Sequence, residues 1–533
     1  MDHILLKASH SSQEMESYST SLVKKLGPEA SLFTNPDEVL GGAKIPFPKG
    51  SLSMNDMAPH TAIVGSSGAG KTIIQKMWLE AALVGSGERG LLYRALVYDP
   101  KRELFPVLIG MGVPASQIII TNPFDCRSSA WDLAEDFKEP AQIEELAEMI
   151  IPRKKNQGGE GDDFFDNAAR IILQDIIAGF RHRASSCWTL RDLTEVCSNL
   201  DYMEQVLRHT ENGRNSWETF LAPRSSDGRM ADSVLASLFG AVRPFQTLAS
   251  VWNRADSKFS LDRWHTGSGV LLMGADPRRE STLTRINQLM FRRISQLVLS
   301  RDQENPIDLT WFFLDEVREA QKLEGFRQLL TEGRSKGARV VIGFQDVDGM
   351  IEIYGERGAE EIIGLCANRI ILHLDNPRTR EWASNFFGET ESETVTFNSN
   401  EGKSTGGPSI TRNEGEGISL QLAPRKNVLP IQFFDLPLAS QDNGVSGFYA
   451  APKMIPYQRT EEMAGFRGDF TISPEDYQDM FDLGKGEAAP VKERPPIHQQ
   501  RKIWNSSELK RFGIKSNETV DREDDYDPLS RKS

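Results

Sequence analysis

The sequence constrains the fold most strongly at an eight-residue match to the pattern G-x-x-x-x-G-K-[ST]. The match consists of Gly65, Ser66, Ser67, Gly68, Ala69, Gly70, Lys71 and Thr72. It follows the apolar run Thr61–Val64 and precedes apolar residues at helical spacing. Backbone N–H groups can surround phosphate oxygens only where side chains do not intervene, and the glycines allow that approach. The pattern therefore predicts a strand, a loop that binds ATP and a helix, in which Lys71 reaches the β and γ phosphates and Thr72 ligates Mg²⁺.

Further short apolar runs indicate the rest of a sheet. They lie at residues 95–98, 118–120, 270–273, 311–314, 340–342 and 370–372. Runs without alternation are typical of strands that are buried on both faces, and strands separated by helical stretches favour a parallel sheet. Between about residues 130 and 262 these runs disappear and helical periodicity replaces them. The sequence thus predicts an α/β P-loop domain with a central, mostly parallel sheet, interrupted by an all-helical inserted domain.

The predicted domain boundaries follow these changes of pattern. Residues 1–44 form an N-terminal arm, residues 45–130 and 262–440 the ATPase domain, and residues 131–261 the helical insert. Residues 441–533 form a C-terminal extension. It is expected to be largely disordered after about residue 480, because the chain there becomes polar and acidic with few apolar residues. Residues 504–514 could still form a short docking helix. Glycine, serine and asparagine are frequent at residues 397–417, which predicts a mobile loop.

Composition excludes several classes of protein. The 533 residues have a net charge of −14, so any contact with DNA must come from a local basic surface. The chain contains no stretch of eighteen apolar residues and its first residues lack the pattern of a signal peptide. Its four cysteines are too scattered for a disulfide framework or a CxxC metal site. We therefore expect a protein of the cytosol.

Two adjacent carboxylates follow one of the buried strands. Trp311–Leu314 is apolar and is followed by Asp315 and Glu316. In P-loop enzymes the first acid at such a position organises Mg²⁺ and its waters, and the second orients or deprotonates the attacking water. Two acids at a strand end are common by themselves. Together with the phosphate loop, they predict a metal-binding Asp315 and a catalytic Glu316.

Each of two further polar residues has either a functional or a purely structural role, and spacing alone does not decide between them. Gln345 ends the strand at residues 339–344, where it either senses the γ-phosphate or only caps the strand. Arg334 precedes that strand, where it is either a surface arginine or a residue that stabilises transition-state charge in a neighbouring subunit.

A cluster of arginines after residue 273 could face DNA, but a solvated helix face explains it better. The cluster comprises Arg278, Arg279, Arg285, Arg292, Arg293 and Arg301.

Several motifs, taken together, resemble the coupling proteins of conjugative type IV secretion, the TraD/TraG-like ATPases. In addition to the phosphate loop, the motifs are Val97-Tyr98-Asp99-Pro100-Lys101, Asn122-Pro123-Phe124-Asp125, Phe313-Leu314-Asp315-Glu316, Gly333-Arg334-Ser335-Lys336-Gly337, Gly343-Phe344-Gln345-Asp346 and Ile353-Tyr354-Gly355. They occur in the order typical of the family, and the resemblance extends from about residue 42 to residue 454. The combination of the acid pair, the GRS motif and the later glutamine is more specific than the phosphate loop alone.

The resemblance implies a RecA-like ATPase domain that is interrupted by an all-helical domain and assembled as a homo-hexameric ring. Such rings couple ATP hydrolysis to DNA movement and deliver a relaxase–DNA complex or other secretion substrates. By match to the family motifs, Arg334 acts in trans and Glu316 and Gln345 act at the γ-phosphate. Family members usually begin with two membrane-spanning helices, which this chain lacks. Either a separate membrane anchor or channel protein replaces them, or the ring works in the cytosol.

Two other functions remain open from the sequence. The first is a cytosolic DNA pump of the HerA/FtsK kind, which works in DNA processing or defence. The second is a docking receptor for substrate proteins, which binds ATP without acting as a motor. A DNA-stimulated ATPase activity would separate both motors from the receptor.

Overall fold

The computed structural model describes most of the chain between residues 45 and 515. The described residues are 45–47, 50–52, 59–84, 93–153, 160–222, 229–302, 309–403, 412–450, 467–487, 491–501 and 503–515. The predicted N-terminal arm, residues 1–44, lies outside them. The chain divides into two compact units. We call Met1–Ser86, Asp315–Arg318 and Arg339–Asp482 the phosphate-loop unit, and Gly87–Leu314, Glu319–Ala338 and Leu483–Ser533 the helical unit.

The described part of the chain alternates strands and helices. The strands are β1 (Ile45–Phe47), β2 (Gly50–Leu52), β3 (Thr61–Val64), β4 (Arg94–Asp99), β5 (Ile118–Ile120), β6 (Ala130–Trp131), β7 (Lys258–Phe259), β8 (Gly269–Gly274), β9 (Thr310–Leu314), β10 (Ala338–Phe344), β11 (Asn368–Ile371), β12 (Glu389–Lys403), β13 (Arg412–Lys426), β14 (Val445–Ala450) and β15 (Arg467–Ile472). The helices are Lys71–Leu83, Leu104–Gly110, Leu133–Asp136, Pro140–Ile150, Glu160–Ala184, Leu190–Cys197, Leu200–Leu207, Glu211–Ser216, Arg229–Val242, Gln246–Trp252, Leu261–Thr266, Glu280–Leu299, Phe326–Glu332, Val347–Tyr354, Glu356–Leu365, Pro377–Phe387, Pro430–Phe434, Pro474–Asp482 and Ser506–Arg511.

The strands of the phosphate-loop unit lie in the order β15, β14, β11, β3, β10. Strand β3 runs parallel to both of its neighbours, with Ile63 opposite Gly343 and Ile370. Strands β14 and β15 extend this sheet in antiparallel orientation, which the sequence did not predict. Every residue of β3, β10 and β11 is buried, as expected for strands covered on both faces. Because parallel strands end at the same edge, the residues that follow β3, β10 and β11 come close together.

Among the described residues of the helical unit, four parallel strands are neighbours in the order β9, β4, β8, β5. Each of the seven apolar runs in the sequence is a strand in the structure, so the prediction of a mostly parallel α/β sheet is confirmed. In the same unit, eight helices occupy the described residues between Leu133 and Trp252.

The helical segment starts and ends at one place. Strands β6 and β7 pair in parallel there, with Trp131 opposite Phe259. Asp136 is fully buried and accepts hydrogen bonds from Trp131 Nε1 at 2.6 Å and from the Leu261 N–H at 2.7 Å. A buried carboxylate with several donors fixes the chain segments that supply them. Asp136 therefore joins the first turn of the helical segment to the chain that leaves it.

The stretch at residues 397–417 was predicted to be a mobile loop, and this prediction was wrong for the residues that the structure describes. Strands β12 and β13 pair in antiparallel orientation over fifteen residues each. The sequence alternates in both strands, with Val395 and Phe397 in one and Ile418 and Leu420 in the other. In the register, Val395 lies opposite Leu420 and Phe397 opposite Ile418. This alternation of period two is the signal for a strand that the abundance of glycine and serine obscured.

The C-terminal extension also differs from the prediction that it is largely disordered after about residue 480. Residues 491–501 and 503–515 are folded in the helical unit, while residues 516–533 lie outside the described residues. Trp504, Leu509, Phe512 and Ile514 are buried. Few apolar residues are present, but they are concentrated on one short segment, and charged pairs to distant residues hold that segment in place.

Candidate active site

The phosphate loop connects β3 to the helix Lys71–Leu83, and its glycines differ in how closely they are packed. Gly70 is the N-cap residue of that helix and has a φ of +101°, in the left-handed region. A Cβ atom at this position would lie 2.7 Å from Val445 Cγ1. Gly68 has a φ of +75°, and a Cβ there would meet no atom within 4 Å. The backbone is therefore closely packed at Gly70 and open at Gly68, as a loop that receives phosphate oxygens requires.

Lys71 lies with its ammonium group at the centre of the loop. Its Nζ donates to the carbonyl oxygens of Gly65 at 2.5 Å and Ser66 at 3.2 Å. An ammonium group is a compact point charge with three donors, so it can bind main-chain carbonyls and phosphate oxygens in the same position. The lysine is thus held inside the curve of the loop.

Asp315 and Thr72 meet although 243 residues separate them in the sequence. The Thr72 hydroxyl donates to Asp315 Oδ2 over 3.1 Å, and Asp315 is buried. Thr72 is the second residue of the helix after the loop, and Asp315 directly follows β9. A hydroxyl and a carboxylate at this separation are the two protein ligands that a nucleotide-bound Mg²⁺ takes in P-loop enzymes. The residues present therefore fit a magnesium nucleotide.

Glu316 has a left-handed backbone, which is uncommon for a residue other than glycine. Its φ is +84°, and its N–H and that of Val317 both donate to the Gly343 carbonyl. The Glu316 side chain is half-buried and accepts a hydrogen bond from Gln345 Nε2 at 3.0 Å. The end of β10 thus holds both the backbone and the carboxylate of Glu316 in place.

One connection at this site was not found from the sequence. The Ser66 N–H donates to the His373 carbonyl, and the Asp375 N–H donates to Ser66 Oγ, each at 2.8 Å. The His373 ring lies between the Leu436 carbonyl at 2.8 Å and Asp375 Oδ1 at 3.0 Å. Contacts with His373 and Ser66 hold the pKa of Asp375 below its usual value. The chain after β11 therefore fixes the phosphate loop from the side.

The phosphate-loop unit thus brings together the loop residues, Asp315, Glu316 and Gln345. Arg334 belongs to the helical unit. It is exposed on the 3₁₀ turn Gly333–Lys336, which Gly337 ends with a φ of +85°.

Comparison with known proteins identifies the family. The model of the type IV secretion-system coupling protein DNA-binding domain matches residues 41–456. This chain belongs to that family. Coupling protein TraD of Escherichia coli (strain K12) is 24% identical over 278 residues, which are 51% of this chain and 37% of TraD. The chain thus spans well under half the length of that relative.

The solved structures of coupling proteins share the fold of this chain. The bacterial conjugative coupling protein TrwBdeltaN70 is 19% identical, with a TM-score of 0.60 over 81% of this chain and 89% of its own. Plasmid coupling protein TrwB in complex with ADP and Mg²⁺ is also 19% identical, with a TM-score of 0.57 over 78% and 87%. TrwB in complex with the non-hydrolysable ATP analogue ADPNP is 18% identical, with a TM-score of 0.58 over 85% and 91%. The fold is thus that of the RecA-like P-loop proteins.

Arginines of the cluster that follows residue 273 are paired with acids inside the helical unit. Arg292 contacts Glu145 at 2.6 Å and Glu324 at 2.8 Å, and Arg293 contacts Asp262 at 2.8 Å. Arg278 and Arg279 both contact Asp276 and Glu493. These pairs favour the structural interpretation of the cluster over a DNA-binding one.

One helical run in the described residues has the length and composition of a membrane span. It covers Arg229–Trp252, and half of its apolar window is buried inside the protein. Pro244 interrupts it with a 3₁₀ turn, Arg243–Phe245. Buried core helices have the same composition, so the run is weak evidence for a membrane segment in this coupling-family chain.

Proposed function

We propose that this chain is an ATP-driven DNA translocase that acts as a coupling protein in conjugative transfer. The contact between Thr72 and Asp315 carries the proposal, because it joins the phosphate loop to the acid pair. A loop that only bound phosphate would not need a carboxylate at that hydroxyl. The presence of both fits hydrolysis of a magnesium nucleotide.

Each residue has a distinct role in the proposed reaction. The N–H groups of the loop and the Lys71 ammonium bind the phosphates, and Thr72 and Asp315 hold the metal. Mg²⁺, when bound, would neutralise part of the charge of the phosphates. Glu316 accepts a proton from the attacking water. Gln345 donates a hydrogen bond to Glu316 and makes that carboxylate sensitive to the γ-phosphate.

Arg334 supplies positive charge to the site of a neighbouring subunit. Arg334 is an exposed residue of the helical unit, as a residue that acts in trans must be. A guanidinium placed at the γ-phosphate stabilises the charge that develops in the transition state. This role requires a ring of subunits, and we propose a homo-hexamer.

The proposed substrate and partners follow from family membership. DNA would lie against the ring, and a relaxase or another secretion substrate would be delivered with it. We place the protein in the cytoplasm, in contact with secretion-channel proteins at the inner membrane.

The test is an ATPase assay with and without DNA on four proteins: the wild type, Lys71→Ala, Glu316→Gln and Lys76→Ala. Lys76 is a matched control because it lies on the same helix and its Nζ donates to the Met480 carbonyl at 3.0 Å. We expect DNA to stimulate hydrolysis by the wild type and by Lys76→Ala. Lys71→Ala should lose nucleotide binding, and Glu316→Gln should bind nucleotide without turnover.

The same assay separates a motor from a docking receptor. Nucleotide binding without DNA-stimulated hydrolysis in an assembled ring would favour a docking receptor. Equal activity of Lys71→Ala and Lys76→Ala would exclude the proposed site altogether.

A further inference from the structure

We propose that Arg301 is a positioning residue for Arg334 and that His265 connects it to the helical insert. The inference rests on the proposed function, in which Arg334 acts in trans. All residues that carry it belong to the helical unit. Arg301 follows the helix Glu280–Leu299, and its guanidinium contacts three separate parts of the chain.

The first contact fixes the turn that carries Arg334. Arg301 Nη1 donates to the Lys336 carbonyl at 3.3 Å, and Lys336 Nζ donates to the Arg301 carbonyl. Lys336 is the last residue of the 3₁₀ turn Gly333–Lys336. The two residues therefore hold the end of the turn through reciprocal hydrogen bonds.

The second contact fixes the turn to the sheet. Arg301 Nη2 donates to Thr310 Oγ1 at 2.6 Å, and Thr310 is fully buried at the start of β9. The Thr310 N–H donates to the Gly337 carbonyl at 3.0 Å, directly after the turn. One planar guanidinium thus sets the distance between the turn and the first residue of β9, which a flexible ammonium could not do.

The third contact leads to the helical insert. Arg301 Nε lies 3.3 Å from His265 Nε2, and Nη2 lies 3.2 Å from His265 Nδ1. A neutral imidazole has one acceptor nitrogen, so it accepts one hydrogen bond from Arg301. His265 belongs to the helix Leu261–Thr266, which follows β7 at the exit of the insert. A displacement of that helix therefore acts on Arg301 and, through it, on the Arg334 turn.

The surroundings of Arg334 make such positioning necessary. Arg334 and Ser335 are exposed, whereas Gly333 and Gly337 are buried at the two ends of the turn. An arginine that reaches across a subunit boundary must be held to within a fraction of an ångström by its own chain. Arg301 contacts the turn at the end where its backbone enters β10.

The test compares Arg301→Ala with Arg334→Ala, with the double variant and with Arg292→Ala. Arg292 is a matched control because it lies on the helix that Arg301 follows and pairs with Glu145 and Glu324 instead of the turn. We expect Arg301→Ala to lower kcat at least tenfold with KM for ATP unchanged, and the double variant to equal Arg334→Ala alone. Arg292→Ala should stay within twofold of the wild type. Wild-type kcat in Arg301→Ala, or additive losses in the double variant, would overturn the proposal.

A second pair of variants tests the histidine without removing Arg301. His265→Gln keeps an acceptor for Arg301, whereas His265→Leu does not. We expect His265→Gln to retain at least fivefold more activity than His265→Leu. Equal activities would exclude the connection to the insert, and this pair also decides the matter if Arg301→Ala fails to fold.

Amide hydrogen exchange separates this inference from the proposed function. If Arg301 holds the turn, exchange at residues 333–337 should be at least tenfold faster in Arg301→Ala and unchanged in Arg292→Ala. This result does not depend on ATP hydrolysis. An active Arg334→Ala would remove the proposed role of Arg334 and with it the positioning role, whereas unchanged exchange would remove the anchoring alone.

Discussion

At the scale of single residues, Glu316 has an unfavourable backbone conformation next to the phosphate loop. Its φ of +84° is strained for a glutamate, and such strain persists only where the surroundings impose it. Here the Gly343 carbonyl accepts hydrogen bonds from the N–H groups of Glu316 and Val317, and Gln345 donates to the Glu316 carboxylate. The strain is consistent with a role in the reaction rather than with stability.

The strain can be measured by comparing two substitutions at the same position. Both Glu316→Gly and Glu316→Ala lose the hydrogen bond to Gln345, so they differ from each other only in the Cβ methyl group, which restricts the backbone dihedrals. We expect Glu316→Gly to be more stable than Glu316→Ala by about 1 kcal/mol, because glycine tolerates positive φ. At the nearby exposed Glu319, which is not among the residues with positive φ, the order should be reversed. Urea unfolding of the four variants checks this, and glycine less stable than alanine at residue 316 would contradict it.

The buried carboxyl group of Asp99, at the end of β4, should make the stability of the folded protein depend on pH. Burial raises its pKa from 3.8 to about 6, although the backbone N–H groups of Leu104 and Glu103 donate to it. Since the folded pKa lies above the unfolded one, the unfolded chain loses its proton first as the pH rises. Stability therefore falls between about pH 4 and 6, by roughly 3 kcal/mol in total, and then levels off.

Asp99→Asn should remove this part of the pH dependence, because the amide does not titrate. Thermal unfolding of both proteins between pH 4 and 7 checks the prediction. The wild type should lose stability relative to the variant as the pH rises to about 6. A constant difference across that range would show that Asp99 has an ordinary pKa.

At the scale of elements, the sequence predicted those parts whose signal is local. The strands of the sheet appear as apolar runs, and the loop at Gly65 and the acids after β9 have fixed spacing. Strands β14 and β15 and the ribbon of β12 and β13 were missed, because partly polar strands lack such runs. The His373 connection was missed because one histidine after a strand has no characteristic spacing.

The short helix within residues 504–514 was predicted as an alternative, but the folding of the rest of the C-terminal segment was missed for a different physical reason. Its contacts join residues about 300 positions apart, so local composition cannot predict them. Arg501 forms two hydrogen bonds with Glu195, and Arg191 forms two with Glu508. Trp504 is buried and its Nε1 donates to Asp192 Oδ1 at 2.8 Å.

The segment can be tested through its central tryptophan. Trp504 stacks between Tyr202 and Phe512, at 5.5 Å and 5.0 Å between ring centroids. Removing such a side chain typically costs about 3–5 kcal/mol. We expect Trp504→Ala to release residues 491–515, detected as rapid proteolysis there. Ile503→Ala is the control, since Ile503 is 64% exposed and should stay resistant. Equal resistance of the two variants would contradict the packing described.

At the scale of the whole molecule, the acidic chain must still contact DNA if it is a translocase. With a net charge of −14, binding to phosphates requires a local basic surface that salt would screen. We expect DNA stimulation of ATP hydrolysis to fall steeply between 50 and 200 mM salt, while hydrolysis without DNA changes little. Stimulation that is independent of salt would indicate that DNA acts through something other than phosphate contacts.

The central claim is that the phosphate loop and the acid pair form one magnesium nucleotide site. The most direct test measures the affinity for an ATP analogue, with and without Mg²⁺, in Thr72→Val, Asp315→Asn and the double variant. Since the two side chains are in contact, we predict that each single variant loses the benefit of Mg²⁺ and that the double variant loses little more. Thr72→Ser should bind like the wild type. Losses that add up in the double variant, or affinity that stays dependent on Mg²⁺ in both single variants, would contradict the account.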